Sequence, residues 1–426
     1  MERNDPRYQA YVEILKEELI PAMGCTEPIA LAYAAAKARE VLGVLPDSVQ
    51  LQVSGSIIKN VKSVIVPNTG HLKGMEAAVA AGIIAGSAEK ELEVISEVSE
   101  EKKSAIRDYL QTVPITIEHT EQGHVFDIVV TERCGQDYAR VRIADYHTNI
   151  CRIEKNGTVL YEVPLLDETV QEDARADRSL LNMQDIWDFA ETADLRDVAD
   201  LLERQIRYNN AIAEEGLLGD YGANIGRVLL TTYGNDVSNR AKAKAAAGSD
   251  ARMNGCELPV IINSGSGNQG ITCSVPLIEY AKELHSGKEK LYRALIISNL
   301  VAIHEKTGIG TLSAYCGAVS AGAGAGAGIV YLCGDGYQAA IHTVVNALAI
   351  VSGIVCDGAK ASCAAKIASS VDAALLGYNM YKCNQEFKGG DGIVMKDIET
   401  TIKGIGRLGK DGMRQTNEEI LSLIHI

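Results

Sequence analysis

Cysteines carry the most distinctive chemistry of this chain, and the stretch from Tyr315 to Cys363 holds three of them at notable places: YCGAVSAGAGAGAGIVYLCGDGYQAAIHTVVNALAIVSGIVCDGAKASC. Cys316 opens a Gly/Ala tract, Cys356 follows in GIVCDG, and Cys363 closes the segment. No CxxC pair occurs in the sequence, so neither a zinc ribbon nor a thioredoxin-type pair is encoded. Thiols spaced this widely suit ligands brought together by folding, from one helix and from the turn beside another. They are read as three thiolates holding an iron-sulfur cluster.

A fourth cysteine lies far away. Residues 7–22 carry apolar positions at helical spacing and then break into MGCTEP, after which Pro28 suits the first turn of a second helix with Thr26 as its cap. Cys25 therefore sits at a helix N-terminus, where unpaired N–H groups and the macrodipole favour a thiolate and lower the thiol pKa. A buried cysteine beside a helix cap, without chemistry, is the competing reading.

Two polar loops complete the candidate set. Asn68, Thr69, Gly70, His71 and Lys73 in PNTGHLKG precede an Ala-rich helix, a row of donors suited to a carboxylate or, as readily, to capping that helix. Asn263, Ser264, Ser266 and Asn268 lie in NSGSGNQG, whose glycines let backbone N–H groups converge on an anion. No GK[ST] follows, and no βαβ unit surrounds the loop, so it is neither a Walker A nor a Rossmann fingerprint. A tight turn between helices would use the same letters. His147 in DYHTNI is a further candidate substrate contact, or an ordinary strand residue.

The elements that must position these residues fall into an α+β arrangement. Residues 1–45 read as N-terminal helices packing on a helical domain. Residues 46–180 alternate strand and helix patterns, with SVQLQVSGSIIKN, KSVIVPN, VPITIEHT and HVFDIVVTERC as strands and a hairpin turning at Lys155, Asn156 and Gly157, giving a smaller α/β domain with a mixed sheet. Residues 166–182 are acidic and polar, a linker. Residues 181–426 show almost no strand pattern and read as an all-helical catalytic domain that binds the cluster.

At 426 residues two domains are expected. A net charge of -15 repels phosphate backbones and anionic lipids, which argues against nucleic acid or a membrane surface as partner and requires a local positive pocket for an anionic substrate. Ten cysteines are too dilute for a disulfide scaffold, and MERNDPRYQA lacks the basic and apolar regions of a secretory signal, so a cytoplasmic setting with reduced thiols is expected. The uncharged stretches 307–334 and 336–356 are long enough to span a bilayer. Gly, Ala and Ser dominate the first, and Gln338, His342 and Asn346 interrupt the second, so two buried helices packed through small residues explain them better.

GCTEP, PNTGHLKG, NSGSGNQG, YCGAVSAGAGAG and GIVCDGAKASC, taken as a set over nearly the whole chain, resemble the L-cysteine desulfidase family, relatives of the iron-sulfur L-serine dehydratases. The resemblance implies a pyridoxal-free β-elimination that converts a small anionic amino-acid substrate to pyruvate and ammonia. It implies a 4Fe-4S cluster on Cys316, Cys356 and Cys363 and a catalytic cysteine at Cys25. The Gly/Ala tract replaces the segment typical of the serine enzymes and the last two ligands are closer together, which favours L-cysteine over L-serine. A non-catalytic protein binding small amino acids on the same scaffold is the alternative from another class, and a homodimer is left open. Cys134, Cys151, Cys256, Cys273, Cys333 and Cys383 read as structural thiols.

Overall fold

The computed structural model describes residues 1–120, 124–165, 175–310 and 312–424. Most of the segment read as a linker lies outside the described residues. The chain opens on α1 (Pro6–Glu18), where Asp5 accepts from Arg7 N and Pro6 fills the first position. A short strand β1 (Pro21–Met23) leads to α2 (Thr26–Leu42), closed by Gly43 at φ +87°. Then come β2 (Ser48–Val53), α3 (Gly55–Val61), α4 (Gly74–Ala85), α5 (Glu100–Thr112), β3 (Ile115–His119), β4 (Asp127–Cys134), β5 (Asp137–Ala144), β6 (Ile150–Lys155) and β7 (Thr158–Glu162).

These strands form one mixed sheet in the order β3-β2-β4-β5-β6-β7, with β2 parallel to β3 and every other pair antiparallel. Alternation places Val49, Leu51 and Val53 of β2 inward. The β6–β7 hairpin turns at Asn156 and Gly157, both left-handed, as the sequence pattern predicts. Two strand expectations are corrected. SGSIIKN is the buried helix α3, because Ile57, Ile58 and Val61 repeat at helical rather than alternating spacing. KSVIVPN gives only a single bridge between Ile65 and Lys73.

The remainder is α6 (Met183–Thr192), α7 (Ala199–Leu218), α8 (Ile225–Tyr233), α9 (Val237–Met253), β8 (Pro259–Ile261), α10 (Gly267–Glu283), α11 (Lys288–Ile309), α12 (Gly317–Cys333), α13 (Tyr337–Val351), α14 (Ser362–Lys382), α15 (Ile398–Arg407) and α16 (Arg414–Leu423). The fold is α+β. The N-terminal segment divides between its two parts. Tyr8 and Tyr11 of α1 meet Phe189 of α6 edge-on at 5.1 and 5.4 Å, whereas α2 lies against α4 and the β4–β5 face of the sheet. Between them β1 pairs antiparallel with β8, Pro21 opposite Ile261 and Met23 opposite Pro259. This short pairing, unforeseen in a part read as all helix, fixes the start of α2 beside the 263–270 loop.

The Gly/Ala tract is α12, buried among α10, α11, α13 and α14. Its glycines lie on opposed faces. A Cβ on Gly324 would stand 2.5 Å from the Ser298 carbonyl oxygen of α11, and one on Gly322 would stand 2.8 Å from Ser370 of α14. The tract thus holds two neighbours at backbone contact on two sides, and thereby sets where its N-terminal Cys316 stands. No helix among the described residues is long and apolar enough to cross a membrane.

Gly324→Ala should therefore lower stability by about 1–3 kcal/mol, as overpacking does. Gly353→Ala, at an exposed position with nothing within 4 Å of the added Cβ, should stay within about 0.5 kcal/mol. Denaturant midpoints of the two variants check this; equal losses would contradict the packing argument.

Candidate active site

Four helices aim their N-termini at one cavity of about 120 Å³. Cys25 is the N-cap of α2, Ser266 of α10 and Cys316 of α12, and Cys363 lies in the first turn of α14; all four line the cavity. Cys356 joins them from the turn after α13. Its position is set by a bridge between Tyr315 and Val355: Cys316 N donates to Ile354 O at 3.1 Å and Cys356 N to Ala314 O at 2.6 Å. Cys25 packs with Val64 and Met253 close to Ala359 and Cys363. The four cysteines singled out from sequence thus share one cavity, and none of the other six lines it.

Burial raises the thiol pKa of Cys25, Cys316 and Cys363. Burial, and then the neighbouring Cys356, push Cys316 up to about 12. Burial likewise raises Cys363. Cys25 is raised well above its ordinary value, by burial first and then by Glu27. The expectation that the helix N-terminus would lower Cys25 is corrected on magnitude. A helix end contributes about 0.3–1 kcal/mol, while one pKa unit is about 1.4 kcal/mol, so burial wins.

Cations stand around the thiols. Lys306 of α11 lines the cavity and is pushed down to about 8 by burial, against the pull of Cys356 and Cys316. Lys59 of α3 donates to Cys356 O at 3.3 Å and to Asn417 Oδ1 at 2.6 Å; burial lowers it too. Lys366 of α14 donates to Val355 O at 2.9 Å and pairs with Asp357. Such surroundings favour an anion in a protein whose net charge is -15.

Beside Cys25 is a buried carboxylate. The Cys25 thiol donates to Glu27 Oε2 at 3.0 Å, Thr26 Oγ1 donates to the same oxygen at 3.2 Å, and Asn60 Nδ2 donates to Oε1 at 3.1 Å. Burial pushes Glu27 up, but His147, the Cys25 hydrogen bond and Arg252 together hold it below its ordinary value. His147 lines the cavity, and burial lowers its pKa against the opposing charge of Glu27. The single Thr26 O–H is shared with Gly265 O, the nearer acceptor at 2.9 Å, which ties α2 to the polar loop.

That loop contributes Ser264, Ser266 and Asn268 to the lining, but not Asn263, whose amide donates to Asn299 Oδ1 at 3.0 Å and whose Oδ1 accepts from Ser264 Oγ at 2.9 Å. The 67–74 loop is absent from the lining. Asn68 donates to Ile95 O at 2.8 Å, Thr69 to Val66 O at 2.7 Å, Gly70 faces Arg107 and His71 is exposed. Its structural part is played by Pro67, which sits 2.9 Å from where a Cβ on Gly24 would lie. Sequence reasoning missed Glu27, Asn60, Arg252, Gln269 and Lys306 as lining residues. Glu27 and Gln269 lay within quoted motifs; Arg252 and Lys306 carried no local signal.

Among the described residues no three His, Cys, Asp or Glu side chains converge closely enough for a single metal ion. Ligands of a cubane are held apart by the width of the cluster. Three thiols lining one cavity, with lysines and helix N-termini around them, fit an anionic cluster.

Comparison with known proteins places this chain in a family. Residues 89–422 match the model of the serine dehydratase alpha chain. The chain is 61% identical over 424 residues to a UPF0597 protein of Desulfitobacterium hafniense, covering 100% of this chain and 98% of that one. It is 52% identical over 417 residues to a UPF0597 protein of Lachnoclostridium phytofermentans (98% and 99% covered) and 47% over 429 residues to one of Treponema denticola (100% and 99%). The chain belongs to the serine dehydratase alpha-chain family. Within it, these full-length relatives bear only the UPF0597 designation.

In the metal-free chain, Glu27→Gln removes a negative neighbour of Cys25, so its thiol pKa should fall and iodoacetamide should label it faster at mildly alkaline pH. Peptide mass spectrometry reads this, with unchanged labelling of buried Cys273 as the control for loosening. Slower or unchanged labelling of Cys25 would contradict the assigned interaction.

Proposed function

We propose that the protein is a pyridoxal-independent lyase that performs β-elimination on a small L-α-amino acid, L-cysteine foremost, releasing sulfide, ammonia and pyruvate. The observation that carries the reading is the shared cavity of Cys25, Cys316, Cys356 and Cys363, drawn from both ends of the chain. Membership in a family described as a serine dehydratase supports a lyase and makes L-serine the second substrate to test.

Cys316, Cys356 and Cys363 would hold a 4Fe-4S cluster, which when bound supplies an open iron position as a Lewis acid for the β-substituent. The chain's own residues handle the proton. The α-hydrogen of an amino acid is weakly acidic, so its removal needs a base held in place. Cys25 is the base: as thiolate, positioned beside Glu27 Oε2, which lies 3.0 Å from its sulfur, it takes the α-proton. The C–H electron pair forms the Cα–Cβ double bond and the Cβ–S bond breaks, its electrons leaving with sulfur. The aminoacrylate released tautomerises to an imine, and water hydrolyses it to pyruvate and ammonia. Burial of Cys25 and Glu27 excludes bulk water from the proton's path.

Cys25→Ser should keep iron and acid-labile sulfide while losing roughly 10²–10⁴-fold in turnover, the usual worth of a placed base. Cys316→Ala should lose the iron. The assay is pyruvate and sulfide release from L-cysteine and L-serine by anaerobically reconstituted protein. Turnover near the parent level in Cys25→Ser would remove Cys25 from the chemistry, and turnover of neither amino acid would overturn the reading.

A further inference from the structure

The cavity holds polar groups that neither the thiols nor the proposed proton transfer uses. Arg252, at the C-terminal end of α9, is 2% exposed and lines the cavity. Its Nε has no hydrogen-bond partner, and among the described residues the guanidinium forms no ion pair. A buried guanidinium N–H left without a hydrogen-bond acceptor is costly. His147 Nε2 is likewise buried, on the lining and unpartnered.

Two acceptors face the same space. Asn60 gives its amide N–H to Glu27, which leaves its buried Oδ1 without a partner. Gln269 gives its N–H to Ser264 O at 3.5 Å, which leaves Oε1 unpartnered. Glycines make room for three of these side chains. A Cβ on Gly267 would stand 2.3 Å from Arg252 Nε, one on Gly265 would stand 3.0 Å from His147 Cε1, and one on Gly317 would stand 2.6 Å from Gln269 Cδ. The glycines of NSGSGNQG thus admit side chains to the cavity, where the sequence had suggested bare N–H groups.

We infer that Arg252 and His147 bind the carboxylate of an α-amino acid while Glu27, Asn60 and Gln269 bind its ammonium, so that the cavity reads both ends of the zwitterion. The inference rests on the lyase reading for the chemistry but not for the binding. A planar guanidinium presents paired N–H groups that match a carboxylate. An ionised Glu27 and two amide oxygens supply acceptors for the three N–H bonds of an ammonium. The Cys25–Glu27 hydrogen bond then sets the base beside the ammonium, which is bonded to the same Cα as the hydrogen to be removed.

L-Alanine separates binding from chemistry, since it has both charged ends and no β leaving group. Calorimetry on anaerobically reconstituted protein should show saturable L-alanine binding, with propionate and ethylamine each much weaker. Arg252→Ala should weaken L-alanine roughly 10- to 100-fold, the loss of one or two charge-assisted hydrogen bonds, and Arg252→Lys should restore part of it. Iron and sulfide per chain should be unchanged in both, which shows that the fold survives. If the Ala variant does not fold, the Lys variant alone decides, by weaker or unchanged affinity.

Unchanged L-alanine affinity in the Arg252 variants, or no saturable binding by the parent protein, overturns the inference. The two readings also fail separately. Arg252-dependent L-alanine binding without pyruvate from cysteine or serine would leave recognition standing and remove the lyase. Pyruvate formation with KM unmoved by Arg252→Ala would do the reverse.

Discussion

Four helix N-termini meeting at one cavity is the constraint on which the rest of this structure depends. Each brings a partial positive charge and unsatisfied N–H groups, and three of them carry a cysteine at or next to the first turn. Helix ends of like sign repel unless something anionic lies between them. Lys306 lines the same cavity, and Lys59 and Lys366 donate to the Cys356 and Val355 carbonyls beside it. Lysines and helix N-termini thus gather where the thiols converge, in a chain whose net charge is -15.

The packing serves that convergence from a distance. The glycines of α12 hold α11 and α14 at backbone contact, which fixes Cys316 relative to Lys306 on one neighbour and Cys363 on the other. The three-residue pairing of β1 with β8 does the same for Cys25, and Thr26 closes the gap to Gly265. Burial raises Cys316 and Cys363 in the bare chain, which favours their protonated forms. A coordinating metal centre reverses that preference, because a ligated thiol is deprotonated outright.

The four cysteines and the Ser264–Asn268 loop were legible because Gly-rich, motif-like surroundings set them apart. The strands from β3 to β7 and the Asn156–Gly157 turn were legible from alternation and turn chemistry. Arg252 and Lys306 were not, since each stands in an ordinary helical pattern and acquires meaning only when α9 and α11 are placed against α10 and α12. The 67–74 loop misled in the opposite sense. Asn68 and Thr69 look like ligand donors, but polar side chains in a turn are as readily used by the backbone carbonyls beside them. Burial around Cys25, which outweighs its helix end, is a tertiary property that no local pattern encodes.

The most direct test of the central claim is Mössbauer spectroscopy of anaerobically reconstituted protein with and without L-cysteine. In the proposed cluster, ligation by Cys316, Cys356 and Cys363 would leave one iron of a cubane without a protein ligand, so about a quarter of the iron signal is predicted to shift when the amino acid is added. A protein that takes up no cluster, or a cluster whose irons are all unaffected by substrate, would contradict it.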